Sequence, residues 1–178
     1  MKLGVLLILA ALVVFGCGPT TQGGVQSDTA RPAVSSQARA LFGDQLTRAS
    51  GASVSPSVLG GKIVGIYFSA HWCGPCRQFT PTLVETYKKL VAAGKPFEIV
   101  FVSSDNTQAD MYSYMKRAGM PWLAVPFRGA VANTLKSKYS VRGIPTLVVV
   151  DQEGNTLTTS GRAQVMSLRE KAWERWIR

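Results

Sequence analysis

Two cysteines separated by two residues, Cys73 and Cys76, are the side chains of this sequence best suited to carry chemistry. They follow an apolar run that ends at Phe68, and they open a segment whose apolar residues recur at helical spacing. A helix N-terminus carries about half a positive charge and unpaired N–H groups, so it favours a thiolate over a thiol. A thiolate at Cys73 can attack a disulfide, and Cys76 can then resolve the mixed disulfide. The spacing and the setting therefore predict a redox-active pair.

Other uses of such a pair are disfavoured by the residues around it. A c-type haem site requires a histidine directly after the second cysteine, and Arg77 stands there. A structural zinc site requires four ligands, and the chain offers only Cys17 and His71 besides the pair. Two inert buried cysteines are the remaining alternative, and the intervening Gly74 and Pro75 argue against it.

The elements that must position the pair follow from the pattern of apolar residues, which predicts strands alternating with helices in an α/β fold. Predicted strands cover 62–68, 97–103, 145–150 and 156–159. Predicted helices cover 74–92, 107–119, 130–139 and 167–176. Residues 41–46 and 52–55 are expected to form a hairpin, and the proline-framed residues 120–127 are expected to form an apolar loop.

Finer features of the helices also follow from the sequence. Pro81 lies inside the first helical pattern and should kink that helix. Asp105 or Thr107 is expected to cap the second helix. The last helix is expected to bury a face formed by three residues, Trp173, Trp176 and Ile177.

Residues from about 40 to 165 resemble the tryparedoxin and nucleoredoxin branch of the thioredoxin superfamily. The matching stretches lie in order along the chain and are Tyr67–Cys73, Phe79–Pro81, Phe97–Ser103, Met120–Phe127, Ile144–Leu147 and Thr158–Thr159. The resemblance implies a thioredoxin fold over residues 38–178, with a central mixed β-sheet flanked by helices on both faces. It also implies a thiol–disulfide oxidoreductase. Such an enzyme needs no metal, flavin or nucleotide cofactor, because both electrons reside in the sulfurs.

The same resemblance implies the roles of individual residues. Cys73 is expected to be the nucleophile and Cys76 the resolving cysteine of a redox-active disulfide. The bond before Pro145 is expected to be cis, which would turn the Ile144 backbone towards an incoming peptide. A trans proline that opens a strand is the alternative from sequence alone. Substrate binding and support of the site are expected from Trp72, Gly74, Pro75, Ile144 and Pro145.

The chain departs from the family pattern at two positions near the pair. Thioredoxins carry a buried aspartate six residues before the first cysteine, and Tyr67 stands there, so the proton acceptor for Cys76 is left open. Tryparedoxins carry an acidic residue three positions before the cis-proline, and here that residue is Arg142. The choice of partner is therefore expected to differ from theirs.

The N-terminus predicts export and a lipid anchor. A basic start at Lys2, an apolar run to Phe15 and a small residue before Cys17 resemble the signal segment of bacterial lipoproteins. We expect a signal peptide at 1–16, lipidation of Cys17 and a flexible tether over 17–37. Gly18 follows Cys17 where an aspartate would favour inner-membrane retention, so the periplasmic side of the outer membrane is favoured. A plain signal peptide with an unmodified cysteine is the alternative.

Composition bounds the partners. The net charge of +10 arises from scattered basic residues, with no run that predicts a nucleic-acid site. Such scattered charge indicates solubility, with mild attraction to anionic surfaces or acidic partners. We expect a monomer that acts on protein thiols and disulfides and that receives electrons from a membrane thiol reductase. A thiol peroxidase, or an electron donor to a peroxidase, is the rival enzyme class. A lipoprotein that binds clients without catalysis is the rival outside enzymes.

Overall fold

The structure is a computed structural model that describes residues 30–178, with side chains from residue 36 onward. The predicted signal peptide, Cys17 and the first part of the predicted tether lie outside the described residues. The helices are α1 Ala30–Phe42, α2 Gly74–Ala92, α3 Gln108–Arg117, α4 Ala130–Lys138, α5 Gly161–Leu168 and α6 Trp173–Trp176. The strands are β1 Leu46–Thr47, β2 Ser53–Val54, β3 Ile63–Ser69, β4 Phe97–Ser103, β5 Leu123–Ala124, β6 Thr146–Val150 and β7 Thr156–Thr158. Short 3-10 turns lie at Pro56–Leu59 and Arg169–Ala172.

Within the described residues, the strands form one mixed sheet in the order β2-β1-β5-β4-β3-β6-β7. The strands β3, β4 and β5 are parallel neighbours, because α2 and α3 carry the chain across the sheet between them. The strands β6 and β7 continue the sheet on the other side of β3 as antiparallel strands. Every residue of β3 from Val64 to Ser69 is buried, as predicted for a continuous apolar strand at the centre of a sheet.

Helices cover both faces of this sheet. Because side chains alternate along a strand, β3 contributes to two cores. Tyr67 packs into the core shared with α2, α3 and the C-terminal segment, whereas Ile66 and Phe68 pack into the core shared with α1 and α4. The predicted central mixed sheet with helices on both faces is therefore confirmed.

Two elements correct the sequence-based prediction in the first two-thirds of the chain. The strand β5 lies inside 120–127, where a loop is predicted. The sequence does not predict this strand, because its two residues are too few to show an alternating pattern. The helix α1 begins at Ala30, inside the segment 17–37 that is predicted to be a tether. Its Ser, Gln and Arg residues resemble a linker in composition, and from residue 36 onward Phe42 is its one fully buried residue.

The C-terminal segment also corrects the prediction. A helix is predicted over 167–176, but α5 ends at Leu168 and the chain changes direction at Arg169, whose φ is 53°. Trp173 and Trp176 are buried as predicted, whereas Ile177 is 56% exposed and does not belong to that face. The sequence does not predict α5, because Val165 is its one buried large apolar residue and a single residue shows no helical period.

The bounds of α2 and the cap of α3 agree with the prediction. The helix α2 runs from Gly74 to Ala92 through Pro81, and the kink expected at Pro81 stays a prediction. Thr107 caps α3, since its Oγ1 accepts a hydrogen bond from the Asp110 N–H at 3.0 Å, and Asp105 is not the cap. None of the helices in the part of the chain described here is long and apolar enough to cross a membrane.

Candidate active site

The cysteine pair lies at the N-terminus of α2. Cys73 is the N-cap residue, Cys76 lies one turn inside the helix, and the two form a disulfide with Cα atoms 5.2 Å apart. Cys73 Sγ also accepts a hydrogen bond from the Cys76 N–H at 3.2 Å. An N-cap side chain normally accepts from the first helical turn, where the helix dipole also favours negative charge. In the reduced protein, the same N–H group would stabilise a Cys73 thiolate.

The two cysteines are both buried, but not equally. Cys73 is 7% exposed and Cys76 is fully buried at 0%. Gly74 and Pro75 form the first turn of α2, and apart from the adjacent residues and the backbone of α2 no described heavy atom lies within 4 Å of the place where a Gly74 Cβ would sit. The surface beside Cys73 is therefore open, and a disulfide that approaches the protein reaches Cys73 before Cys76.

The turn before β6 lies directly against the disulfide. The Ile144–Pro145 peptide bond is cis, as the resemblance implies. The carbonyl oxygen of Ile144 lies 3.6 Å from Cys73 Sγ, a distance at which a reduced Cys73 thiol would donate to it. The Ile144 side chain packs against the two cysteines and Ala70. The structure thus brings together the predicted site residues that lie far apart in the sequence.

Residues at the end of β4 hold the loop that precedes Cys73. Trp72 is 55% exposed, and its Nε1–H donates to the Ser104 carbonyl at 3.0 Å. The His71 backbone N–H donates to Asp105 Oδ1 at 2.7 Å. The Arg77 guanidinium, one turn into α2, donates to the His71 carbonyl at 2.6 Å. The loop is therefore fastened from both sides, and the flat Trp72 ring is fixed at the surface next to the disulfide.

Asp105, the other of the two predicted candidates for the α3 cap, has another role. It is 2% exposed, and its second carboxylate oxygen accepts a hydrogen bond from Ser103 Oγ at 2.8 Å. The sequence treats it as a helix cap, but it orients the loop before Cys73 instead. The signal was available in the strand pattern. Because β3 and β4 are parallel with Ser69 opposite Ser103, the residues that follow both strands meet at one edge of the sheet.

A group of buried hydroxyls lies beneath the disulfide, at the position where thioredoxins carry an aspartate. Thr80 Oγ1 donates to the Cys76 carbonyl at 2.8 Å and lies 2.8 Å from Tyr67 Oη and 2.6 Å from Tyr114 Oη. Since the Thr80 proton is already used, both phenols must donate to Thr80. Ser69 Oγ lies 3.2 Å from Tyr114 Oη and must donate to it for the same reason. These distances define one direction for every hydrogen bond in the group.

This arrangement determines what Tyr67 can do. Burial, followed by the neighbouring Tyr114, raises the pKa of the Tyr67 phenol far above its ordinary value of 10.0. A phenol of this kind stays protonated near neutral pH, so Tyr67 donates a hydrogen bond and cannot take the proton of Cys76. Among the described residues, no cluster of three or more His, Cys, Asp or Glu side chains is placed to hold a metal ion.

Comparison with known proteins identifies the family. A family model described as thioredoxin-like matches residues 60–156. Nucleoredoxin of Bos taurus is 45% identical over 130 residues, which cover 72% of this chain and 29% of the relative. The chain belongs to the thioredoxin superfamily, in its nucleoredoxin and tryparedoxin branch. The chain spans less than a third of the length of that nucleoredoxin.

Solved structures of the superfamily match the domain over almost their whole length. Tryparedoxin of Trypanosoma brucei superposes with a TM-score of 0.70 at 36% identity, over 78% of this chain and 97% of that chain. A thioredoxin of Wuchereria bancrofti gives a TM-score of 0.66 at 41% identity, over 77% of this chain and 96% of that chain. The predicted thioredoxin fold is therefore confirmed. This fold, together with the adjacent Cys73 and Cys76, is that of a thiol–disulfide oxidoreductase.

Proposed function

We propose that this protein is a thiol–disulfide oxidoreductase of a bacterial envelope that reduces or isomerises disulfides in client proteins. The observation that carries the proposal is a disulfide at a helix N-terminus whose two cysteines are unequally buried, Cys73 with 7% exposure and Cys76 with none. Cysteines that only cross-linked the fold would not need either of them to keep contact with solvent.

The reaction begins with the reduced pair. The Cys73 thiolate attacks one sulfur of a client disulfide, and the other client sulfur leaves as a thiolate that takes up a proton. Cys76 then loses its proton and attacks Cys73 Sγ, which releases the second client sulfur. Two electrons have passed to the client, and the Cys73–Cys76 disulfide seen in the structure is the product. The backbone of Ile144, beside Cys73 Sγ, is placed to pair with the client, and Trp72 covers the other side.

The direction of electron flow follows from the residues between the cysteines. A strongly stabilised thiolate would make the pair an oxidant, but Gly74 and Pro75 offer it no charge and no hydrogen-bonding side chain. We therefore expect a reduction potential nearer to the roughly −270 mV of thioredoxin than to the roughly −120 mV of a strong oxidant. Equilibration with glutathione buffers measures it, and a value above roughly −160 mV would reverse the proposed direction.

The location and the electron donor belong to the same proposal. A basic start, an apolar run and Gly16 before Cys17 support export and lipidation, with the periplasmic face of the outer membrane favoured by Gly18. A bacterial periplasm is kept oxidising, so a reductase there must be recharged. A membrane thiol reductase is the class of donor that this location requires.

Reduction of insulin by the purified full chain, with dithiothreitol as the donor, tests the activity. Cys73→Ser should abolish it, and Cys76→Ser should accumulate mixed disulfides with clients. Cys17→Ser is the matched control and should retain activity, because Cys17 lies outside the domain. Consumption of peroxide without an added peroxidase would favour a thiol peroxidase instead. Client binding that survives Cys73→Ser, without turnover by the unaltered chain, would favour a non-catalytic lipoprotein.

A further inference from the structure

An open cleft of about 490 Å³ lies beside the turn that contacts the disulfide. It is lined by the end of α4, by the residues that precede the turn, and by β6 and β7. Arg142 and Thr146 line it on either side of the turn, within two residues of Ile144. The cleft thus begins within two residues of Ile144, whose carbonyl oxygen lies 3.6 Å from Cys73 Sγ, and a client docked at Cys73 would pass close to it.

The charge of this cleft is entirely positive. Its lining includes Lys138 and Arg142, both exposed, and it contains no acidic residue. The ion pairs found within residues 36–178 involve other cations, so neither charge is neutralised by a carboxylate there. The Lys138 ammonium lies over the Tyr139 ring, 5.6 Å from its centroid, and is held at the cleft by that contact.

Hydroxyl groups add hydrogen-bond donors to the two cations. The cleft is lined by three exposed residues with hydroxyl side chains, Ser140, Thr156 and Thr159. Thr146 is not available as a donor, because its Oγ1 already donates to the Gly143 carbonyl at 2.8 Å. Tyr139 also lines the cleft, but its Oη is buried from solvent and offers no accessible donor. Two cations and exposed hydroxyls together favour an anionic oxygen.

We propose that this cleft binds acidic residues flanking the reactive cysteine of a client polypeptide, so that the preferred substrates are disulfides with neighbouring Asp or Glu. The inference rests on the proposed function, since the client cysteine must lie at Cys73 Sγ. A client chain that extends past Ile144 advances about 3.3 Å per residue and reaches the cleft within a few residues. The net charge of +10 attracts the same substrates over longer distances.

Three peptides, each with one internal disulfide, test the inference with the purified full chain and dithiothreitol as donor. Next to one cysteine they carry a triplet of Glu, of Ser or of Lys. The reaction transfers two electrons and two protons from Cys73 and Cys76 to the peptide, and dithiothreitol restores the dithiol. At low salt we expect kcat/KM for the Glu peptide to exceed that for the Lys peptide by about five- to tenfold. The ratio should approach one at about 1 M salt, where screening is strong.

The double variant Lys138→Glu/Arg142→Glu should reverse this preference. Its matched control is Lys88→Glu/Arg175→Glu, which changes the net charge equally at exposed positions on α2 and α6 and should retain the preference. An equal effect of both double variants would mean that net charge alone selects the substrate. It would refute the assignment of the cleft as the binding site. Phosphate and chloride are then compared at equal ionic strength. If phosphate removes the preference more strongly, the cleft binds a small anion, and the proposal that it binds a client polypeptide is refuted.

The two levels of the proposal fail in different ways. A full chain that reduces none of the three peptides, and not insulin either, would refute the proposed function. A chain that reduces all three peptides at the same rate keeps the proposed function and refutes the acidic preference. Circular dichroism of both double variants guards against loss of fold, and single substitutions at Lys138 and Arg142 replace a double variant that does not fold.

Discussion

At the scale of single residues, Thr80 is where the buried hydroxyl groups beneath the disulfide converge. Its Oγ1 accepts hydrogen bonds from two phenols and donates one to the Cys76 carbonyl. Loss of this one atom therefore leaves both phenols without their acceptor. Thr86, six residues later on α2, has an equally buried hydroxyl with no partner in the described part of the chain. The two residues form a natural pair of test and control.

Thr80→Val is expected to lower the free energy of unfolding by about 1–3 kcal/mol, because buried donors are left unpaired. Thr86→Val is expected to leave it unchanged or raise it slightly, because the substitution removes a hydroxyl that makes no hydrogen bond. Urea denaturation of the oxidised chain measures both. An equal loss of unfolding free energy in the two variants would mean that the hydrogen bonds of Thr80 beneath the disulfide do not stabilise the fold.

Tyr67 is expected to make the free energy of unfolding depend on pH in alkaline solution. Burial raises its pKa above 10.0 in the folded chain, so above pH 10 the unfolded chain releases a proton that the folded chain keeps. The stability linked to this protonated phenol is fully present below pH 10, and it is lost as the pH rises towards the pKa of Tyr67 in the folded chain. Between pH 10 and 12, unfolding free energy should fall more steeply for the unaltered chain than for Tyr67→Phe, by up to about 1.4 kcal/mol per pH unit.

Two comparisons make this pH experiment decisive. Tyr87→Phe should change the slope in the same direction, since burial and then Glu98 raise the pKa of that phenol too. Between pH 7 and 9 the slopes of the unaltered chain and of both variants should coincide, because neither phenol titrates there in either state. Parallel curves up to pH 12 would contradict a buried, proton-retaining Tyr67.

At the scale of elements, α5 is positioned by a glycine at its first residue. A Cβ on Gly161 would lie 2.7 Å from the Leu147 carbonyl oxygen and 3.0 Å from Leu147 Cγ, so the helix can approach β6 only without a side chain there. Gly74 opens α2 in the same way but faces open space, with no heavy atom within 4 Å of its Cβ position.

Gly161→Ala is therefore expected to lower the unfolding free energy by about 1–3 kcal/mol, through overpacking against the β6 backbone. Gly74→Ala, at the equivalent helix position, should cost nothing in stability, since alanine is the better helix former. Thermal or urea denaturation distinguishes them. Equal stability of the two variants would show that α5 can shift away from β6 without cost.

The elements also show how far the sequence could predict this molecule. The helix α2 and the strand β4 have the predicted bounds, because long runs of apolar residues at one period identify an element without help from its neighbours. The cysteine pair was equally visible. The strand β5 and the helix α1 were not, because each is defined by what it packs against. Asp105 and Thr80 were missed as site residues for the same reason, since their partners lie in other elements.

At the scale of the whole molecule, the proposed location depends on one cysteine, Cys17. We expect processing before Cys17 and acylation of its sulfur and new N-terminus, because several acyl chains hold a protein firmly whereas one holds it only marginally. Cys17→Ser should move the protein from the membrane fraction to the soluble fraction while insulin reduction continues. Mass spectrometry of the mature N-terminus checks the modification directly, and an unmodified Cys17 would refute the anchor.

The sheet ends at both margins in very short strands, β2 with Ser53–Val54 and β7 with Thr156–Thr158, which pairs with β6 through an irregular register. Exposed margins of a sheet are templates for the backbone of another copy, and long apolar margins lead to aggregation. Margins of two and three residues, mostly hydroxyl-bearing, offer such a copy little to pair with. With the proposed lipid anchor, copies confined to one plane of a membrane would meet at high local concentration. The short margins of the sheet would then limit backbone pairing between neighbouring copies.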